Sequence, residues 1–109
     1  MDLTLYQHDT TATAPATMPP VTEAQLRLLN WAVGLGEVGE LQNLIKKHVF
    51  HGHTLVRGDV VDEMGDVLWY IAQLCTDLGV DMSEVARYNT AKLRARYPEG
   101  FSSERSINR

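Results

Sequence analysis

Apolar positions recur at three- and four-residue spacing along most of the chain, and alternation of the kind a strand needs appears nowhere at useful length. Leu26, Leu29, Val33, Leu41, Leu44 and Ile45 predict one long helix. Thr22 opens it as a cap, with Gln25 three residues on to complete a capping box. It closes near Phe50–Gly52, where His51-Gly52-His53 offers a glycine exit. Val60, Met64, Val67, Leu68, Ile71, Leu74, Cys75 and Leu78 predict a second helix, from about Arg57–Asp59 to Leu78, with Gly79 ending it. A third starts at Asp81, with Glu84 spaced for another capping box, and runs to Arg96 before Pro98 and Gly100 stop it. A short helix over about Thr4–Thr13 precedes Pro15, Pro19 and Pro20, which force extended or turn backbone. The expected fold is all-α, an antiparallel helical bundle with two long and two shorter helices. Residues 1–21 form an N-terminal arm, 22–100 the helical domain and 101–109 a polar C-terminal tail.

Acids interrupt these apolar stripes. Glu37 and Glu40 fall in core-facing slots of the first helix, where a solvated charge would normally take the opposite face. Glu37-Val38-Gly39-Glu40-Leu41 then nearly repeats 26 positions later as Glu63-Met64-Gly65-Asp66-Val67. Acids three apart share a helix face, so two such helices face to face would gather four carboxylates. Carboxylates left unpaired in an interior are costly, and the cluster invites a divalent cation. Asp59 and Asp62 have a simpler reading, at the positive end of the second helix dipole. Glycine inside a helix costs about 1 kcal/mol relative to alanine, and Gly39 and Gly65 sit between the acids of each copy. Close helix approach is the expected reason.

Composition narrows the function. A chain of 109 residues makes one domain, small enough to gain from assembly into a homodimer or homotetramer. A net charge of −4 argues against nucleic acid as a partner. The longest apolar run, Val67–Ala72, is far below the roughly 20 residues that cross a bilayer, and no Lys or Arg precedes Arg27 to start a signal peptide. A cytoplasmic protein with no membrane partner is expected. Lone Cys75, in an apolar run, is expected to be a buried structural thiol. Gly34-x-Gly36-x-x-Gly39 matches a dinucleotide-binding fingerprint only literally, because it lies inside a helical pattern with no strand before it. His48, His51 and His53 raise a zinc site that lacks a clear third ligand, and neither acid pair has the Glu-x-x-His form of a di-iron bundle. Trp31, Trp69 and Phe50 could stack on a base, but at helical spacing at least one tryptophan is expected in the core.

Gly34-Leu35-Gly36-Glu37-Val38-Gly39-Glu40, the Lys46-Lys47 pair, Asp62-Glu63-Met64-Gly65-Asp66-Val67-Leu68-Trp69-Tyr70 and Asn89-x-x-Lys92-Leu93-x-x-Arg96 together resemble the MazG-like, all-α nucleoside triphosphate pyrophosphohydrolases, from about Trp31 to Arg96. The resemblance implies hydrolysis between the α and β phosphates of a nucleoside triphosphate, giving the monophosphate and pyrophosphate, in nucleotide-pool housecleaning. It implies Mg²⁺, with Mn²⁺ as the alternative ion, held by Glu37, Glu40, Glu63 and Asp66. It also implies phosphate contacts from Lys92 and Arg96, with Asn89 and Tyr70 near the nucleotide; Lys47 is the lysine of its pair expected to approach the phosphates. Gly36 departs from the pattern of members with a second acid directly before the first. That departure leaves the water-activating base open between a metal-bound hydroxide and a carboxylate, with Glu37 or Glu40 the choice if a carboxylate serves. The competing expectation is a non-catalytic helical module that binds metal or nucleotide.

Overall fold

The computed structural model describes residues 2–108, and among them every element is helical. In chain order these are α1 (Leu3–Asp9) with a 3-10 turn at Thr10–Ala12, α2 (Glu23–Gly34), a 3-10 turn at Leu35–Glu37, α3 (Val38–His51), α4 (Arg57–Leu78), α5 (Met82–Arg96) and α6 (Ser103–Ile107). The all-α expectation holds. No helix among the described residues is long and apolar enough to cross a membrane.

Local signals place most boundaries. Thr22 and Gln25 form the reciprocal capping box, with the Gln25 amide donating to Thr22 Oγ1 at 3.1 Å and the Thr22 amide to Gln25 Oε1 at 2.9 Å. Gly52 and Gly79 end α3 and α4 in left-handed backbone, at φ 71° and 69°. Asp81 caps α5 by accepting the Ser83 amide.

Two expectations change. The single helix drawn from Thr22 to about Gly52 is two helices, because the chain tightens over Leu35–Glu37 and the Val38 amide bonds back to Leu35 O. Two glycines in three residues, Gly34 and Gly36, weaken the α-helix at that point. The polar tail also contains a short helix, α6, capped by Ser102 Oγ.

α4 is the central element, with α2, the Leu35–Glu37 turn and α3 packed along it. The pairing is antiparallel, since Trp31 meets Asp77 near the end of α4 while Glu37 meets Glu63 and Asp66 nearer its start. α1 and α5 make only glancing contact with these helices. The fold is consequently open. Cys75 is the one buried residue among those described, as its apolar run suggested. The radius of gyration is 20.3 Å, where a compact domain of this length has about 13 Å. The accessible surface is 9308 Å², about 3,200 Å² more than a compact monomer of this mass exposes.

Candidate metal centre

Glu63 and Asp66, one turn apart on α4, face Glu37 from the 3-10 turn packed against it. One carboxylate oxygen from each lies within 4.8 Å of the other two. Glu37 and Glu63 are half-buried and Asp66 is exposed. The Glu63 Oε2 atom is buried and has no hydrogen-bond partner. Loss of hydration at Glu63 pushes its carboxyl above the ordinary 4.5, and the charges of Asp66, Glu37, Glu40 and Asp62 push it further in the same direction.

An orphaned, desolvated carboxylate oxygen among other acids is what a hard divalent cation would satisfy. Mg²⁺ and Mn²⁺ take oxygen ligands and tolerate an exposed side where waters or phosphate oxygens complete the shell. Glu37, Glu63 and Asp66 therefore fit such an ion. The histidines do not form a competing site: no three-residue metal-ligating group containing them occurs among the described residues. His48 instead donates from Nδ1 to the His53 carbonyl at 2.8 Å, and the His51 and His53 rings meet edge to face at 6.4 Å.

The other candidate residues are distributed unevenly. Glu40 lies in the first turn of α3, exposed and outside the group of three, although its charge still acts on Glu63. Lys47 is exposed near the end of α3. Asn89 and Lys92 are exposed on α5 and Arg96 is half-buried there, so one chain does not pack their helix against the acids. The described residues contain one ion pair, Arg27 with Asp77, and none that joins α5 to the acidic group.

Tyr70, one turn beyond Asp66, is half-buried in an aromatic cluster with Trp69 at 5.1 Å and Trp31 at 6.5 Å between ring centres. Trp31 and Trp69 meet edge to face at 5.4 Å. Trp31 belongs to the packed seam, its indole N–H donating to Asp77 Oδ2 at 2.7 Å, whereas Trp69 is half exposed and Phe50 largely so.

The glycines differ from expectation. A Cβ at Gly39 or Gly65 would meet nothing within 4 Å, so neither permits a close approach of helices within the chain. Gly34 does: a methyl there would overlap the Tyr70 ring. Sequence reasoning gave Gly34 no packing role, marking it only in the false dinucleotide motif and at the start of a stretch that carries the family resemblance. It also passed over Asp77, an acid on α4 with no motif around it.

The family model of the MazG nucleotide pyrophosphohydrolase domain matches residues 25–101, which contain every candidate site residue above. The Gene 37 protein of Mycobacterium phage L5 is 37% identical over 79 residues, covering 69% of this chain and 69% of that protein. No solved structure matches.

Proposed function

We propose that this chain, which belongs to the MazG nucleotide pyrophosphohydrolase family, hydrolyses a nucleoside or deoxynucleoside triphosphate to the monophosphate and pyrophosphate with Mg²⁺ or Mn²⁺, clearing surplus or non-standard nucleotides in the cytoplasm. The observation that carries the metal reading is the buried, unpartnered Glu63 Oε2 beside Glu37 and Asp66. These three residues would hold the ion. When bound, the ion neutralises phosphate charge and lowers the pKa of a coordinated water.

The remaining chemistry belongs to side chains. A water oxygen attacks the α phosphorus, the bond from that phosphorus to the bridging oxygen breaks, and pyrophosphate leaves. Glu40 is our choice to accept the proton from that water, since it is not one of the three clustered acids. Lys92 and Arg96 offset charge on the leaving pyrophosphate, Lys47 approaches the phosphates, and Asn89 and Tyr70 lie against the nucleoside.

The working form is a homodimer or homotetramer in which α5 of one copy serves the acids of another. Support comes from the excess surface, which over two chains exceeds what a standard interface buries and suits an obligate one. Charge supports the same pairing: α5 carries Arg87, Lys92, Arg94 and Arg96 against one acid, Glu84. The partner's Lys92 and Arg96 would then stand at the phosphates.

Purified protein with Mg²⁺ and a panel of triphosphates resolved by base and sugar should release pyrophosphate. Orthophosphate alone, or no turnover across the panel, overturns the reading; nucleotide binding without product makes the chain a non-catalytic module instead. Mixing inactive Glu63→Gln protein with inactive Lys92→Ala/Arg96→Ala protein should restore activity, and no recovery in verified mixed oligomers overturns the shared site.

A further inference from the structure

Gly34 has an ordinary right-handed helical backbone, φ −59° and ψ −28°, so conformational freedom does not explain a glycine there. Space does. The Tyr70 ring lies directly against the bare backbone at Gly34, in the volume that any side chain would take. Gly34 is the last residue of α2, and the turn carrying Glu37 begins at the next residue.

The register makes this contact consequential. On α4, Glu63, Asp66 and Tyr70 fall at i, i+3 and i+7 and share one face. Gly34 against Tyr70 is followed, three residues along the chain and one turn back along α4, by Glu37 against Asp66 and Glu63. Farther along the same seam, Trp31 touches the aromatic cluster and is held by Asp77. The ring on glycine thus lies one helical turn from the acidic group along α4. Beyond it Glu37 rests on a 3-10 turn, whose hydrogen bonds resist displacement less than those of an α-helix.

We propose that Tyr70, seated on Gly34, is a positioning residue: it sets the separation of the α2 end from α4 and thereby holds Glu37 within reach of the cation bound by Glu63 and Asp66. This rests on the metal reading of the three acids. Mg²⁺ takes ligands at about 2.0–2.1 Å in near-ideal octahedral geometry, so an outward shift of about 1 Å removes Glu37 as a ligand. The role is separate from any contact of Tyr70 with nucleotide and operates with no nucleotide present.

The test is calorimetric titration of Mn²⁺ into the nucleotide-free full chain, with helix content followed by circular dichroism. Gly34→Ala should weaken Mn²⁺ binding about tenfold or more. Adding Tyr70→Leu, which removes about the volume that the methyl introduces, should recover most of that loss. Tyr70→Phe, which keeps the ring, should bind as the unsubstituted protein does. Unchanged affinity in Gly34→Ala, or a double variant no better than the folded single one, overturns the proposal. If Gly34→Ala does not fold, Tyr70→Leu alone decides: affinity weakened about threefold or more supports the positioning role, and unchanged affinity assigns Tyr70 to the nucleotide alone and overturns it. Absence of Mn²⁺ binding by the unsubstituted protein overturns the metal reading itself, and the positioning role with it.

Discussion

Glu37-x-x-Glu40 and Glu63-x-x-Asp66 share their spacing, their central glycine and their apolar neighbours, yet the chain uses them differently. Glu63 and Asp66 stand on the uninterrupted α4, where three-residue spacing puts both carboxylates on one face. Glu37 and Glu40 straddle the passage from a 3-10 turn into α3, and only Glu37 joins the clustered oxygens. The same motif therefore contributes two clustered carboxylates from α4 and one from the 3-10 turn. It leaves the fourth acid, Glu40, exposed, where the proposed proton transfer would use it.

The largest test of this asymmetry is Glu63→Gln, which keeps the shape and removes the desolvated charge. Turnover should fall about 10³-fold, the loss of several kcal/mol of metal-borne stabilisation, while helix content is retained. Activity above a tenth of the unsubstituted rate would break the assignment. Next comes the contrast between the motifs. Asp66→Asn should weaken Mn²⁺ binding about 10- to 100-fold, but Glu40→Gln should change it less than about threefold while still slowing turnover. Equal losses of affinity would restore the symmetric, four-ligand picture.

A pH titration reads the same site without turnover. The folded protein holds the Glu63 proton more tightly than the unfolded chain does, because the folded pKa is raised above 4.5. The stability this contributes is fully present below that ordinary value and is lost as pH rises through the raised folded value. Metal-free protein should therefore show a Tm falling with pH over that window, relative to Glu63→Gln, and saturating Mg²⁺ should remove the difference. The smallest expected effects are at the twin glycines. Gly39→Ala and Gly65→Ala each meet open space and should stabilise by about 0.5–1 kcal/mol in chemical denaturation. Destabilisation at either would mean that another copy packs closely there.

The readable features were local ones. Thr22 with Gln25, and the glycine ends at Gly52 and Gly79, depend on residues a turn apart, and their structures follow directly. The α4 acids were legible because the helix beneath them is regular. The break at Leu35–Glu37 was not, since three-and-four spacing continues across it and only two helix-weakening glycines mark it. Gly34 and Asp77 were hidden for a related reason: each is explained by a residue far along the chain, Tyr70 for one and Trp31 for the other. The apolar spacing of α5 predicted a helix but named no surface for it to cover. Asn89, Lys92 and Arg96 were therefore legible as a set by resemblance alone.

An interior reduced to Cys75 among the described residues also bears on how much protein a cell must hold. If the working form is the proposed oligomer, the chain completes its packing only by meeting another copy, and its folded fraction is set by its own concentration, through mass action. Its output would then rise more steeply than its copy number. At low abundance most chains would be solitary and idle, and doubling synthesis near the dissociation constant would more than double the active sites. Dosage itself would become a control on the proposed reaction, with no effector required.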